Sequence, residues 1–122
     1  MRPKAMLLAG ILALLPIGVA AATLGTFQSV RAVGNGRWEW TVAIRAEPAT
    51  LREIFCVEYS LEPSFPQPVR RVCSPGKARA PFATRGAAWG NTRIDIQVFM
   101  RNGTVLQLQH PLRLAPRAAS AE

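Results

Sequence analysis

Residues 57 to 72 read Val57-Glu58-Tyr59-Ser60-Leu61-Glu62-Pro63-Ser64-Phe65-Pro66-Gln67-Pro68-Val69-Arg70-Arg71-Val72. Apolar and polar residues alternate at both ends of this stretch, which predicts two strands joined by a proline-rich loop. Prolines lie on both sides of Phe65, and each of them fixes its own φ near about −65°. The segment therefore predicts a loop of restricted backbone that presents an aromatic side chain at its tip.

The same period-two alternation recurs along the chain, and no sustained helical stripe follows residue 22. Apolar residues alternate with polar ones in four segments: 38–45, 55–61, 94–100 and 105–110. Turn signals separate these runs, and the clearest is Asn102-Gly103. Six to eight short strands in residues 23–115 predict an all-β, antiparallel β-sandwich. Residues 74–91 are interpreted as a long connection between the sheets, and residues 116–122 as a loose tail.

The two cysteines bear on how the strands around the loop pair. A register that places Ser60 opposite Val69 also gives three further pairs: Glu58 with Arg71, Val57 with Val72, and Cys56 with Cys73. It pairs an acid with a base, faces two valines to the core and brings the cysteines within reach of a disulfide. Exported proteins with two cysteines usually oxidise them. We expect this disulfide to brace the loop; the alternatives are reduced buried thiols or oxidation only under stress.

Residues 1–22 have the pattern of an export signal. Arg2 and Lys4 precede an apolar run, and small residues around Ala20 to Ala22 offer a cleavage site. The alternative is an uncleaved membrane anchor, for which the apolar run is of borderline length. The sequence therefore predicts a periplasmic or secreted protein, with membrane contact only if the signal stays attached.

The charge of the chain is strongly positive. The sequence has 15 basic and 7 acidic residues, a formal net charge of +8. The arginines are spread singly except for Arg70-Arg71, which is typical of a solvated outer face rather than of a nucleic-acid surface. We expect no nucleic-acid partner; attachment to an anionic envelope polymer or lipid is the alternative.

Residues suited to catalysis are scarce. His110 is the one histidine, and the serines lack a nucleophile-elbow pattern. A single histidine beside two disulfide-bonded cysteines does not make an ordinary metal site. No glycine-rich loop that could hold a phosphate precedes a helix. The sequence therefore predicts no enzyme activity, no cofactor and no metal.

Four segments together resemble the YEATS domain family, and its bacterial branch most closely. They are Trp40–Arg45, Leu61–Pro68, Pro81-Phe82 and Gly86–Gly90. They are similar to the family's early Trp-x-Val strand, its Leu-His-x-Ser-Phe-x-x-Pro loop, its Pro-Phe step and its glycine–aromatic segment. The resemblance implies an immunoglobulin-like sandwich that reads acylated lysine.

The resemblance also implies roles for five loop residues. Phe65 and Trp89 would be the walls of a slot for a flat acyl-amide, while the Ser64 hydroxyl and the main chain at Gly90 would bind the amide itself. Aromatic faces suit planar groups, and a buried amide needs both a donor and an acceptor. Glu62 occupies the family's histidine position, where a carboxylate must point to solvent to tolerate a neutral acyl chain.

We therefore expect an exported, non-catalytic binding module with an aromatic loop slot. Its ligand would be a modified side chain, a peptide or a small amide-bearing group, and its partner a protein or peptide, acyl-modified in the family's manner. Two alternatives stay open: a structural or assembly domain that pairs through an edge strand, and the basic envelope-polymer binder. For each loop aromatic, a packing role against the end of the sandwich is the competing interpretation.

Overall fold

A computed structural model describes residues 24–114, which form seven strands and one short helix. The strands are β1 (Gly25–Gly34), β2 (Arg37–Arg45), β3 (Ile54–Ser60), β4 (Val69–Val72), β5 (Thr84–Ala88), β6 (Thr92–Met100) and β7 (Val105–Leu112), and the helix α1 spans Pro48–Arg52. Residues 1–22 and 116–122, where a signal and a loose tail are predicted, lie outside the described part. No helix within residues 24–114 has the length and apolarity to span a membrane.

The strands form two antiparallel sheets that enclose one core. One sheet has the order β1-β2-β5 and the other the order β4-β3-β6-β7. Because side chains alternate between the faces of a strand, one apolar row from each sheet turns inward. Fully buried members of these rows include Trp40, Val42, Ile44, Val57, Tyr59, Ile94, Ile96 and Val98. The predicted β-sandwich is confirmed.

The β3–β4 hairpin has the register that the sequence indicated. Ser60 pairs with Val69, Glu58 with Arg71 and Val57 with Val72. The structure contains the Cys56–Cys73 disulfide, with the two Cα atoms 4.0 Å apart. The disulfide joins the strands at the end of the hairpin opposite the loop, so that the hairpin is closed covalently at one end and by the loop at the other.

Two interpretations of the sequence need correction. The alternation in residues 55–61 predicts that Phe55 faces the core together with Val57 and Tyr59. Phe55 is instead exposed, because the β3–β6 register shifts between Ile54 and Cys56. Residues 74–91 are not a connection throughout, since β5 lies within them. The sequence of β5, TRGAA, lacks large apolar residues, and its pairing with β2 rather than side-chain pattern makes it a strand.

The segment before β5 is fixed to the core by Phe82. This residue is buried and adopts φ +52°, a left-handed conformation that large side chains rarely accept. Its N–H donates to the Pro75 carbonyl at 3.0 Å. Its own carbonyl accepts a hydrogen bond from the Tyr59 hydroxyl at 2.5 Å. Burial raises the pKa of Tyr59, so the hydroxyl keeps the proton that it donates.

A polar cluster closes the side of the sandwich where β1 meets β7. His110 Nδ1 lies 2.9 Å from the Thr26 hydroxyl, and His110 Nε2 lies 2.7 Å from Gln28 Oε1. The Gln28 amide nitrogen in turn donates to the Arg113 carbonyl at 2.8 Å. Burial lowers the pKa of His110. The arrangement therefore suits a neutral ring that donates from Nε2 and accepts at Nδ1.

Candidate ligand-binding site

A cavity of about 440 Å³ lies between the β3–β4 loop and the β5–β6 loop at one end of the sandwich. Its lining includes all five residues to which the sequence assigned a binding role: Glu62, Ser64, Phe65, Trp89 and Gly90. The tight β1–β2 turn also lies near this end, since a Cβ built on Gly36 would be 3.8 Å from the Trp89 ring. The loops thus bring together residues that are about 25 positions apart in the sequence.

The β3–β4 loop has its own internal hydrogen bonds. The Leu61 N–H donates to the Pro68 carbonyl at 2.7 Å, which closes the loop at its base. The Phe65 N–H donates to the Glu62 carbonyl at 3.0 Å, which forms a turn directly before the aromatic residue. Such bonds satisfy backbone groups that a loop would otherwise leave to water. The backbone under Phe65 is therefore preorganised.

Arg70 fastens this loop to the opposite sheet. Its guanidinium donates to the carbonyls of Pro66 and Gln67, each at 2.9 Å. The same group donates to the Arg85 carbonyl and, at 3.3 Å, to the Thr84 hydroxyl. Burial lowers the pKa of Arg70, although these acceptors still suit a cation with a fixed fork of donors. One side chain thereby connects the loop to β5.

Phe65 packs against the buried ring of Trp40. The two rings meet edge to face, with centroids 6.3 Å apart and an interplanar angle of 83°. Trp40 is almost fully buried, and its indole N–H has no hydrogen-bond partner within residues 24–114. A Cβ built on Gly86 would lie 2.6 Å from the Trp40 ring. The glycine thus makes room for the ring, and ring packing positions Phe65.

Trp89 is the opposite case, because 69% of its surface is exposed. The Arg37 guanidinium lies 5.8 Å from its ring centroid, within the range of a cation–π contact. Its ring edge also lies near Gly36 in the β1–β2 turn. A role as a cap of the core is therefore wrong for Trp89. It is an aromatic wall of the cavity whose face is open to a ligand.

The carboxylate of Glu62 is engaged within the protein. Its Oε2 accepts a hydrogen bond from the Thr92 hydroxyl at 2.8 Å. This bond joins the β3–β4 loop to the start of β6 and fixes where the negative charge lies. Ser64 and Gly90 are both exposed at the cavity. The Ser64 hydroxyl forms no hydrogen bond within residues 24–114, so this group is available to a ligand.

The sequence reasoning missed Arg70 and Gly86. The predicted register already placed Arg70 opposite the inward-facing Tyr59. An arginine on the core side of a strand is unusual unless its charge has partners, so this position was a usable signal. For Gly86 no local signal exists, because the need for a glycine arises from Trp40 on another strand.

The lining of the cavity supplies groups suited to binding a ligand. It offers two aromatic faces, a hydroxyl, backbone groups of an exposed glycine loop and one carboxylate. Between residues 24 and 114, no three His, Cys, Asp or Glu side chains are grouped so that they could hold a metal ion. Such a cavity suits a flat group that inserts between rings and forms one or two hydrogen bonds.

The chain matches the model of a known domain family. The family model described as the prokaryotic YEATS domain matches residues 38–113, which include both cavity loops. No curated protein matches the chain significantly. The matched segment covers more than half of the chain and extends from the start of β2 to the residue after β7.

Solved structures similar to this chain include three of Yaf9, a yeast homologue of AF-9. The Yaf9 YEATS domain that recognises a succinylated histone H3 peptide is 28% identical, with TM-score 0.56 over 77% of this chain and 70% of that one. The same domain bound to acetylated histone H3 is 28% identical, with TM-score 0.60 over 79% and 72%. A further crystal structure of Yaf9 is 26% identical, with TM-score 0.57 over 76% and 66%.

Proposed function

The chain belongs to the prokaryotic YEATS domain family, and from this premise we propose that it is a non-catalytic module that binds an acylated side chain on a protein or peptide. The ligand's acyl-amide would enter the cavity between Phe65 and Trp89. One observation carries the proposal: both aromatic residues line one cavity together with an available hydroxyl. The similar Yaf9 domains, which recognise acylated histone peptides, support the ligand class.

The two walls suit a planar ligand group. Phe65 stands in a fixed orientation on Trp40, whereas Trp89 has an exposed face and no core contact to lose. A flat amide that slides between them buries apolar area on both sides and stacks on both rings. Trp89 has room to adjust to the thickness of the ligand, because most of its surface is exposed and it lies near Arg37 and the β1–β2 turn.

The polar groups suit an amide. An amide presents one N–H donor and one carbonyl acceptor, and both must be satisfied when they leave water. The Ser64 hydroxyl can serve either of them, and the main chain around Gly90 lies on the other side of the cavity. The Glu62 side chain is exposed and its Oε2 is held by the Thr92 hydroxyl, so its charge can stay in water when a neutral acyl group enters the cavity.

Export is a further part of the proposal. Residues 1–22 have the composition of a cleavable signal, and the Cys56–Cys73 disulfide is of the kind that persists in oxidising compartments. The partner would then be an acylated protein of the envelope or of the exterior. Mass spectrometry of the protein from a periplasmic extract measures this directly: a cytosolic, full-length chain with reduced cysteines would contradict it.

Tryptophan fluorescence tests the binding proposal, because Trp89 lies at the cavity and is exposed. Acetyl-lysine, crotonyl-lysine and unmodified lysine peptides are titrated into the protein. We expect saturable quenching with an acylated peptide only. Phe65→Ala should weaken binding by about ten-fold or more, because it removes an aromatic contact with the ligand. Trp89→Phe should remove the quenching, which would show that Trp89 and not Trp38 or Trp40 reports the ligand.

Phe55→Ala is the matched control for the loop substitutions. Phe55 is also an exposed aromatic, but it lies at the other end of β3, beside Arg101. Its loss should leave the affinity for the acylated peptide unchanged. Equal affinity for modified and unmodified lysine, or full binding by a Phe65→Ala and Trp89→Ala double variant, would remove the cavity from consideration as the site.

A further inference from the structure

We infer that the partner carries acidic residues beside the modified side chain, and that these residues lie in an arginine-lined groove next to the cavity. This inference rests on the proposed function, because it assumes that the modified side chain occupies the cavity. It adds the chemical class of the partner segment: an acidic peptide in an extended conformation.

The groove lies on the outer face of the β1-β2-β5 sheet and encloses about 680 Å³. The strand register explains its composition. Arg31 pairs with Glu39 and Glu39 with Ala87, while Thr41 pairs with Arg85. Residues directly opposite each other in antiparallel strands point to the same face. These side chains therefore share the face away from the core.

The groove carries more positive charge than it neutralises. Three arginines line it, Arg31, Arg37 and Arg85, together with the single acid Glu39. Glu39 forms a salt bridge with Arg31. Arg37 and Arg85 form no salt bridge with any carboxylate in the described range 24–114. No carboxylate of the described residues neutralises these two exposed guanidinium groups, and their planar fork is well suited to carboxylates of a partner.

The groove is continuous with the cavity. Ala87 lines both of them. Arg37, which lines the groove, also contacts the ring of Trp89, which is a wall of the cavity. A peptide that places one side chain beside Trp89 would therefore bring residues next to it within reach of Arg37, and residues farther along within reach of Arg85.

The charges also indicate which residues the partner avoids. Glu62 is the one carboxylate that lines the cavity, and it lies on the loop across from Trp89. An acidic residue placed beside Glu62 would be repelled, whereas one placed over Ala87 would meet Arg85. Acidic residues should therefore strengthen binding on one side of the modified lysine and not on the other.

Fluorescence anisotropy with labelled peptides tests the inference. Each peptide has a central acetyl-lysine with three glutamates or three glutamines on either its N-terminal or its C-terminal side. On one of the two sides, we expect the glutamate peptide to bind about three- to ten-fold more tightly than the glutamine peptide, which is the gain from two exposed ion pairs. The ratio should fall as salt rises, because exposed pairs are screened.

Two double variants with the same loss of charge identify the arginines. Arg37→Gln with Arg85→Gln should bring the ratio of glutamate to glutamine affinities close to one. Arg79→Gln with Arg113→Gln removes two exposed arginines outside both cavities and should leave the ratio unchanged. The ratio of the two affinities is used because Arg37→Gln also removes the cation–π contact with Trp89. That loss weakens binding of the glutamate and glutamine peptides alike, so it cancels in the ratio.

Three results would overturn the inference. The ratio could be one in the unaltered protein, it could fall equally in both double variants, or double-stranded DNA could displace the glutamate peptide as well as unlabelled peptide does. The last result would identify a general polyanion surface. Failure of the proposed function has a separate signature: the unmodified glutamate peptide would bind through Arg37 and Arg85 with no gain from acetylation.

Discussion

The two loops that form the cavity differ in how the rest of the molecule holds them. The β3–β4 loop has internal hydrogen bonds, four bonds from Arg70 to the loop and β5, and a buried ring beneath Phe65. The β5–β6 loop presents Trp89 with a cation–π contact and a nearby turn. Phe65 is thus a fixed wall that packs on the core, whereas Trp89 is a movable wall on the surface. Such a pair can combine a preorganised contact with one that adjusts to the ligand.

The disulfide is expected to have the largest effect on the fixed wall. Replacing Cys56 and Cys73 by alanine removes a cross-link between residues separated by 17 positions. This should lower the free energy of unfolding by about 3 kcal/mol, because the unfolded chain gains entropy. Thermal and urea unfolding measure it. Reduction of the unaltered protein should give a similar loss; an unchanged melting temperature in both cases would contradict the prediction.

Gly86→Ala tests the packing of Trp40, the residue beneath Phe65. The new Cβ would lie 2.6 Å from the Trp40 ring, which has nowhere to move within the core. We expect a loss of about 2 kcal/mol from overpacking, and weaker binding because Phe65 rests on Trp40. Gly25→Ala is the control, since nothing lies within 4 Å of its added Cβ. Equal stability of the two variants would refute the packing argument.

Arg70 and Arg71 are adjacent, yet they should differ in importance. Arg70→Met removes the bonds to the loop and β5, so we expect a loss of about 1–2 kcal/mol and faster amide exchange at Phe65. Arg71→Met removes an exposed salt bridge to Glu58 and should cost about 0.5 kcal/mol or less. Hydrogen exchange and urea unfolding distinguish them. Similar values for both would mean that Arg70 does not fasten the loop.

The walls themselves can be compared by truncation. Phe65→Ala should lower stability by about 1 kcal/mol, because the ring is partly buried against Trp40. Trp89→Ala should change stability by less than about 0.5 kcal/mol, since the ring is mostly exposed. Both should weaken binding of an acylated peptide by about ten-fold or more. A Trp89→Ala variant as unstable as Phe65→Ala would show that both walls are structural.

The smallest expected effect lies at the β1–β7 side, away from the cavity. Burial lowers the pKa of His110, so the unfolded state binds a proton more readily than the folded state. Stability should therefore be complete above the unfolded pKa of about 6.5 and decline as the pH falls below it. Melting temperatures between pH 7.5 and 5 measure this. In His110→Gln the decline between pH 7 and 5.5 should be weaker, because His110 is the only histidine.

The parts of the fold that carry regular apolar alternation could be predicted from the sequence. The register of β3 and β4 followed from matching charge, apolarity and cysteines, and the structure has that register. The strand β5 could not be predicted, because its small residues carry no pattern and its pairing with β2 defines it. Alternation predicts the wrong face for Phe55, because a register shift between adjacent strands leaves no mark in the sequence pattern.

The candidate site shows the same division. The five predicted residues share one cavity because they lie in loops, where local sequence already restricts the backbone. Their supports, Arg70 and Gly86, act on residues of other strands, so that their importance depends on tertiary contacts. The exposure of Trp89 also depends on tertiary contacts and could not be predicted, since a large aromatic residue after a strand can equally cap a core.

Phe82 has a consequence for how this protein can change over generations. Its backbone conformation, φ +52°, is one that glycine and asparagine adopt most easily. Its buried position instead requires a large apolar side chain. No amino acid meets both requirements without strain. Nearly every replacement should therefore either leave a cavity in the core or keep the strained backbone conformation. In a library that varies this position, few substitutions should survive selection for folding, although the residue does not line the cavity.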